Sequence, residues 1–239
     1  MVMSIMPHPR TRAFSLIELL VVVSIMTLLM AVLVPGMSKA RRQAAATVCG
    51  SNLKQIAVAF AMYVSDHRDR YPAAQDPVRT APFYWLWMGR GFRGFIGPYL
   101  VKDISASNPN ALVCPGDRTD PGVYERTSYA YSMSFYHSPE QIDAMSTPAD
   151  TYSNPQPPVA QSPTGVRRPG CKILAGEWAS HHEPVRDKDQ GWWDTRGRRT
   201  FLLADGHVMP HAARSIEPAN DGLPDPNLTR HGVRGFDVR

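Results

Sequence analysis

The sequence is short of most patterns that announce chemistry. It has no His-Glu-x-x-His pair for a hydrolytic zinc, no Gly-x-Ser-x-Gly elbow for a nucleophilic serine and no Walker loop for a phosphate. Cysteine is scarce: Cys49, Cys114 and Cys171 are the three present, and no two form a C-x-x-C pair, which removes the zinc-knuckle pattern. Charge is sparse and nearly balanced, 26 Lys and Arg against 21 Asp and Glu, for a net of +5. Two of those positive charges, Arg10 and Arg12, lie in the first thirteen residues, which hold no acid. What remains is too weakly and too diffusely basic to argue for a nucleic-acid partner. A hydrolytic metal site would have to be drawn from Glu177, His181, His182, Glu183, Asp187, Asp194, Asp205, His207 and His211. These lack metalloprotease spacing, and the His181-His182-Glu183 run falls in an expected loop, so no enzyme activity is expected.

Proline, by contrast, is abundant. The 22 prolines in 239 residues are close to twice the usual share of about 5% and argue for a loop-rich domain. Apolar residues make up 43%, enough for a packed core. The length leaves room for one soluble domain behind an N-terminal anchor.

That anchor is the most informative stretch. Leu16–Val34 is apolar except for Glu18 near its head, and at about 1.5 Å per residue it nearly crosses a hydrocarbon layer of about 30 Å. Arg10 and Arg12 precede it, which places the leader on the cytoplasmic side. The run exits at Pro35-Gly36 and continues into a helical pattern, unlike a secretory signal with its shorter core and small-x-small exit. A carboxylate at the mouth of such a run is unusual, because an unpaired charge in hydrocarbon costs several kcal/mol.

Basic leader, small residue, Phe14, Glu18 and apolar run together resemble the class III signal of type IV prepilins and type II secretion pseudopilins. The resemblance implies cleavage between Ala13 and Phe14 by a membrane prepilin peptidase, N-methylation of Phe14, Glu18 as the fifth mature residue and Pro35 as the helix-bending proline. Ala13 departs from the usual glycine. In an assembly, Glu18 would pair with the Phe14 ammonium of the adjacent subunit, a contact that sets register because an unpaired buried charge is so costly.

Beyond the membrane run, Ser38 to Val64 reads as one helix without an internal proline, Gly50 being its weak point. Cys49, Leu53, Ile56, Phe60 and Tyr63 form a stripe at three- and four-residue steps expected to pack on a sheet, with Lys39, Arg41, Arg42, Gln43, Asn52, Lys54 and Gln55 on other faces. Phe83-Tyr84-Trp85-Leu86-Trp87 reads as core aromatics on either a strand or a short helix. Strands are expected at Leu112–Cys114, Ser128–Met133 and Lys172–Glu177. A hairpin of Thr200–Ala204 and His207–Met209 turns at Asp205-Gly206, where Asp-Gly favours a type I′ turn. The Pro-rich stretch 137–168 reads as an ordered-to-floppy surface excursion, and 213–239 as a peripheral loop or frayed end.

The phrases Cys49-Gly50-Ser51-Asn52-Leu53-Lys54-Gln55-Ile56, Cys114-Pro115-Gly116-Asp117 and Ser128-Tyr129 also resemble a bacterial group of pseudopilin-like proteins with a His-x9-Asp-Gly motif near the C-terminus. Asp205 and Gly206 match its end, but Thr195 stands where the histidine is expected. This resemblance implies a Cys49–Cys114 disulfide tying helix to sheet, with two buried thiols as the alternative, and leaves Cys171 unpaired. Major pseudopilins often hold calcium, for which Asp187, Asp189, Asp194 and Asp205 are the weak candidates here; no other cofactor is implied.

The whole reads as an α+β, pilin-like chain: leader 1–13, membrane and assembly helix 14–35, amphipathic stem 36–65, and a head at 66–239 built on a small antiparallel sheet. Expected partners are prepilin peptidase, other pilin or pseudopilin subunits and the inner membrane, crossed once with the head periplasmic. The alternative is a processed but non-polymerising anchored binding module, for which Trp85, Trp87, Trp178, Trp192 and Trp193 would supply a stacking surface.

Overall fold

A computed structural model of the chain describes residues 15–78, 85–88, 91–100, 111–118, 127–154, 156–183 and 188–239. It divides into two units, Met1–Arg41 and Arg42–Arg239.

One helix, α1 (Leu16–Asp66), runs through both. In the first unit its apolar side chains up to Val34 are 42–82% exposed all round the helix. An all-apolar circumference with no protein cover suits hydrocarbon. In the second unit α1 becomes one-sided: Cys49, Leu53, Ile56, Ala59, Phe60, Tyr63 and Val64 are buried, while Lys54, Gln55 and Val58 are exposed. Asn52, expected on a polar face, is buried instead. Its amide donates to the Val113 carbonyl at 2.9 Å, a long-range partner that repeat spacing cannot reveal.

The head is an α+β, pilin-like arrangement around a four-stranded antiparallel sheet in the order β1 (Tyr129–Tyr131), β2 (Ile173–Glu177), β3 (Arg198–Leu203), β4 (Val208–Ala212). Tyr129 pairs with Glu177, Gly176 with Phe201, and Arg199 with His211. Strand alternation divides the inner strands between two cores. Tyr129, Tyr131, Leu174 and Leu202 join the α1 stripe. Ala130, Ile173, Phe201 and Leu203 face a second cluster with Trp192, Ile216 and Val238. β4 is one of the two edge strands and carries Pro210, as an edge tolerates.

Several expectations are corrected. Leu112–Cys114 forms turns, not a strand; Ser128 N–H bonds Leu112 O and Cys114 N–H bonds Ser128 Oγ, just ahead of β1. Of the aromatic cluster, Phe83 and Tyr84 lie outside the described residues, and Trp85–Trp87 sit in a buried turn that is neither strand nor helix. The hairpin turn is not type I′, which needs two positive φ angles: only Gly206 has one (+89°), after a Gly206 N–H···O=C Leu203 bond. That matches a three-residue loop whose last residue must be left-handed, hence the glycine. The Pro-rich stretch is largely at the surface but ordered: it contains α2 (Pro139–Asp143), capped reciprocally by Ser138 and Gln141, and α3 (Asp150–Ser153). It then runs beside the core through Val159 N–H to Tyr136 O and Gln161 N–H to Phe135 O.

The largest correction is the tail. Residues 213–239 enter both cores: Ile216 and Val238 cover the second sheet face, Leu228 and Val233 join the first cluster, and Asp225, Asn227, Thr229 and Asp237 are buried with them. Asp237 accepts the Ile173 N–H at 2.7 Å and pairs with the fully buried Lys172 at 3.1 Å, while Thr229 Oγ1 bonds both of these side chains. Asn227 Oδ1 accepts the Met133 N–H at 3.1 Å. A chain end with so few apolar residues reads as frayed because its contribution is polar and long-range.

Two predictions follow from this packing. Phe60→Ala should lower the unfolding free energy by about 3–5 kcal/mol, whereas Val58→Ala on the exposed face should stay within about 0.5 kcal/mol, as measured by urea unfolding in detergent. The second concerns pH. Burial pushes the carboxyls of Asp76 and Asp225 up from 3.8 to about 6 and about 7. A raised carboxyl confers stability that is complete below its unfolded value of 3.8 and is lost as pH rises through the folded value. Asp194, lowered to about 2 chiefly by hydrogen bonds from Arg196, acts below that window. Relative to Asp225→Asn, the wild-type melting midpoint should therefore fall between about pH 4 and about pH 7; His137, lowered by burial from 6.5 to about 4, works in the opposite sense over much of that range and is common to both proteins.

Candidate functional site

The N-terminal segment begins at Ser15, just ahead of α1. Ser15 Oγ accepts the Ile17 N–H at 3.3 Å, and Glu18 Oε2 reaches back to accept the Ser15 N–H at 2.9 Å. This is a reciprocal cap of the S-x-x-E kind, and it places the carboxylate against the amide donors of the helix start. Glu18 is the one ionisable side chain between Leu16 and Val34. Ser24 and Thr27, the other polar residues of the run, return their hydroxyls to the Leu20 and Ser24 carbonyls at 2.8 and 2.9 Å, which leaves no unpaired donor to face hydrocarbon. Pro35 lies inside the helix, which continues through it. Ala13, Phe14 and the leader lie outside the described residues. Among the described residues, α1 is the helix long and apolar enough to cross a membrane. Chemically, the segment offers one carboxylate, aimed at its own helix start, at the head of an otherwise apolar rod.

In the head, Cys49 and Cys114 are joined in a disulfide, and Cys171 is free. The link closes 65 residues, worth about 4 kcal/mol in a chain-entropy account. The disulfide has neighbours that the sequence analysis did not bring together. Cys114 Sγ is 3.4 Å from Glu177 Oε1 and 3.3 Å from His182 Nε2, and those two atoms are 2.8 Å apart. Glu177, at the end of β2, is fully buried, and its Oε2 accepts the Thr200 N–H from β3 at 2.7 Å. His182 comes from the bend after β2. The adjacent His181 pairs with Asp117 at 3.5 Å, and Asp117 also accepts the Ser128 hydroxyl at 2.6 Å. Of the nine residues named for a metal site, the structure thus gathers Glu177 and His182. No short-range signal could have found the grouping, since its parts come from α1, the Cys114 turn and the end of β2.

The other candidates are dispersed. Asp189 bonds the Ser180 and Gly191 amides and pairs with Arg199 at 2.7 Å; Asp194 pairs with Arg196 at 2.8 Å; Asp205 bonds His207 at 2.7 Å. Asp187 lies outside the described residues. Thr195 is exposed in a bend before β3, and Glu183 lies 3.9 Å from Arg198. His211 sits on β4 beside Phe201. The tryptophans are structural: Trp87, Trp178 and Trp193 pack on one another with centroids 5.1–5.8 Å apart, and Trp192 stacks behind Trp178 and donates its Nε1–H to Glu177 O at 2.8 Å.

No characterised protein and no solved structure is significantly similar to the chain. One family model matches, the prokaryotic N-terminal methylation motif, over residues 8–34. The matched stretch ends at the last residue of the apolar run and includes Glu18 and the Ala13–Phe14 junction. Residues 8–34 of this chain are accordingly a prokaryotic N-terminal methylation motif, a prepilin-type N-terminal domain of the kind that pilins and pseudopilins carry.

Proposed function

We propose that the chain is a pilin-like or pseudopilin-like structural subunit. Prepilin peptidase cuts it between Ala13 and Phe14 at the cytoplasmic face and methylates the new Phe14 terminus. The processed helix then packs with those of other subunits into an envelope filament of a type II secretion or type IV pilus-like system, with the head in the periplasm. The observation that carries this is the methylation motif leading into a helix that is apolar on every side except for Glu18. Such a helix can lie in a bilayer or among copies of itself, and both are apolar surroundings.

Glu18 supplies the step between those two states. In the single chain its carboxylate bonds the Ser15 amide. Cleavage creates an ammonium at Phe14, one residue before that amide, and a neighbouring subunit brings a second one. The carboxylate exchanges a neutral donor for a charged one when subunits meet in register. Charge-assisted bonds are roughly twice as strong as neutral ones, and the difference grows out of water. The work is mechanical, with no turnover.

The buried packing of Trp87 and Trp192 counts against the anchored binding module, which would need its aromatic platform in solvent. One experiment tests processing, which both readings share, and a second separates them. Mass spectrometry of the N-terminal peptide from native membranes should find N-methylated Phe14; an intact Met1 terminus would overturn the proposal. Glu18→Leu should still be cut, yet it strands the partner ammonium at a cost of about 3–5 kcal/mol. Filament yield and stem-to-stem crosslinks should therefore collapse, whereas a non-polymerising module would show neither in either form.

A further inference from the structure

We propose that the head carries a metal site in its reduced form, made of Cys49, Cys114, Glu177 and His182, which holds a divalent cation of the zinc class. One ligand atom from each of the four lies within 4.8 Å of the others. For a tetrahedral cation with zinc–sulfur and zinc–nitrogen bonds of about 2.3 and 2.0 Å, ligand atoms should be about 3.3–3.8 Å apart. Cys114 Sγ is already 3.3 Å from His182 Nε2 and 3.4 Å from Glu177 Oε1. The sulfurs must part from bonded to non-bonded contact, and Glu177 Oε1 and His182 Nε2 must open from 2.8 Å by about 0.5 Å as the cation replaces the hydrogen bond between them. Two soft thiolates with an imidazole favour zinc over calcium or magnesium, and a carboxylate completes a four-ligand set.

The surroundings are built as a ligand shell would be. Glu177 has one oxygen tied to the Thr200 amide, which turns the other toward the sulfurs. The Gly116 N–H approaches Cys114 Sγ at 3.4 Å, two residues on in a Cys-Pro-Gly turn, where an amide donor stabilises a thiolate. A side chain at 116 would strike the His182 ring, since a Cβ there would lie 2.8 Å from its Cε1; only glycine lets the imidazole reach the cluster. Among the described residues, His182 Nδ1 is buried without a partner. Two thiolates and a carboxylate around a dication leave one net negative charge, which the Gly116 and Thr200 amides offset.

Cation binding itself needs no oxidant. The chain is made with both thiols reduced; on binding, two S–H bonds break heterolytically, two protons pass to water, and the sulfur electron pairs go to the cation. Disulfide formation is the competing fate. An acceptor disulfide takes two electrons from the thiolates and leaves as two thiolates, Cys49 and Cys114 join, and the cation is released. Either closure ties α1 to the Cys114 turn, so cation and disulfide exclude one another at the same joint.

The test uses the full chain in detergent, reduced anaerobically with a phosphine and titrated with cobalt(II), then with zinc. The expected result is one cobalt per chain, with the visible bands of a tetrahedral site and thiolate-to-cobalt charge transfer, displaced by zinc and absent from the oxidised protein. His182→Ala and Glu177→Gln should each weaken binding by about tenfold or more. His181→Ala should not, and the oxidised disulfide form of each variant reports whether it folds. If the reduced chain is unfolded, zinc should restore its near-ultraviolet circular dichroism. A reduced, folded chain that binds no cobalt, binds it without thiolate bands, or binds it equally well without His182 overturns the site, as does an unfolded reduced chain that zinc does not rescue.

Discussion

A single helix has to satisfy two different solvents, and the rest of the molecule follows from that. Over Leu16–Val34, α1 presents apolar side chains in every direction, which only hydrocarbon or other apolar helices can cover. From Cys49 to Val64 the same helix presents one apolar stripe and leaves Lys54, Gln55 and Val58 to water. No break separates the two regimes, and Pro35 lies within continuous helix. The change from all-round to one-sided apolarity determines where the globular part can begin.

The stripe dictates the head. A stripe of this width needs a flat apolar partner, and the tyrosines of β1 with Leu174 and Leu202 provide it. A small sheet buried on that face alone would leave Phe201, Leu203 and Ile173 in water. The tail prevents this by folding across the other face, and it is held there less by apolar area than by polar groups matched to the sheet's own backbone. Lys172 and Asp237 are both buried, so each is tolerable only because the other, with Ser134 and Thr229, satisfies it. Asp225 is raised by burial and by the nearby Asp221 carboxylate, and the bonds it accepts from the Asn227 amide and the Trp193 indole only partly offset this.

The joint between stem and head lies at Cys49, where α1 first becomes buried. The disulfide, the Asn52 bond to Val113 and the Tyr129 hydroxyl reaching Cys49 O all act within one turn of that point. Glu177 and His182 sit on the same joint from the sheet side. These contacts fix the helix to the sheet at the point where its burial begins.

Sequence alone determined whatever depends on neighbours along the chain. The N-terminal methylation motif over residues 8–34 and the apolar run were legible, because a motif and an unbroken apolar span are both patterns of neighbouring residues. The α1 stripe and the β2 and β3 strands were legible too, because 3.6- and 2-residue periods follow from helix and strand geometry. Tertiary structure decided what depends on partners far away in sequence. Asn52 is buried where Val113 offers a carbonyl, Leu112–Cys114 is a turn tied to α1 by the disulfide and to Ser128 by hydrogen bonds, and the tail is core where Asp237 meets Lys172. Glu177 and His182 reach Cys114 across 63 and 68 residues of chain. A polar contact of that kind leaves no period in the sequence, since it is specified by two side chains meeting and not by any repeat along one element.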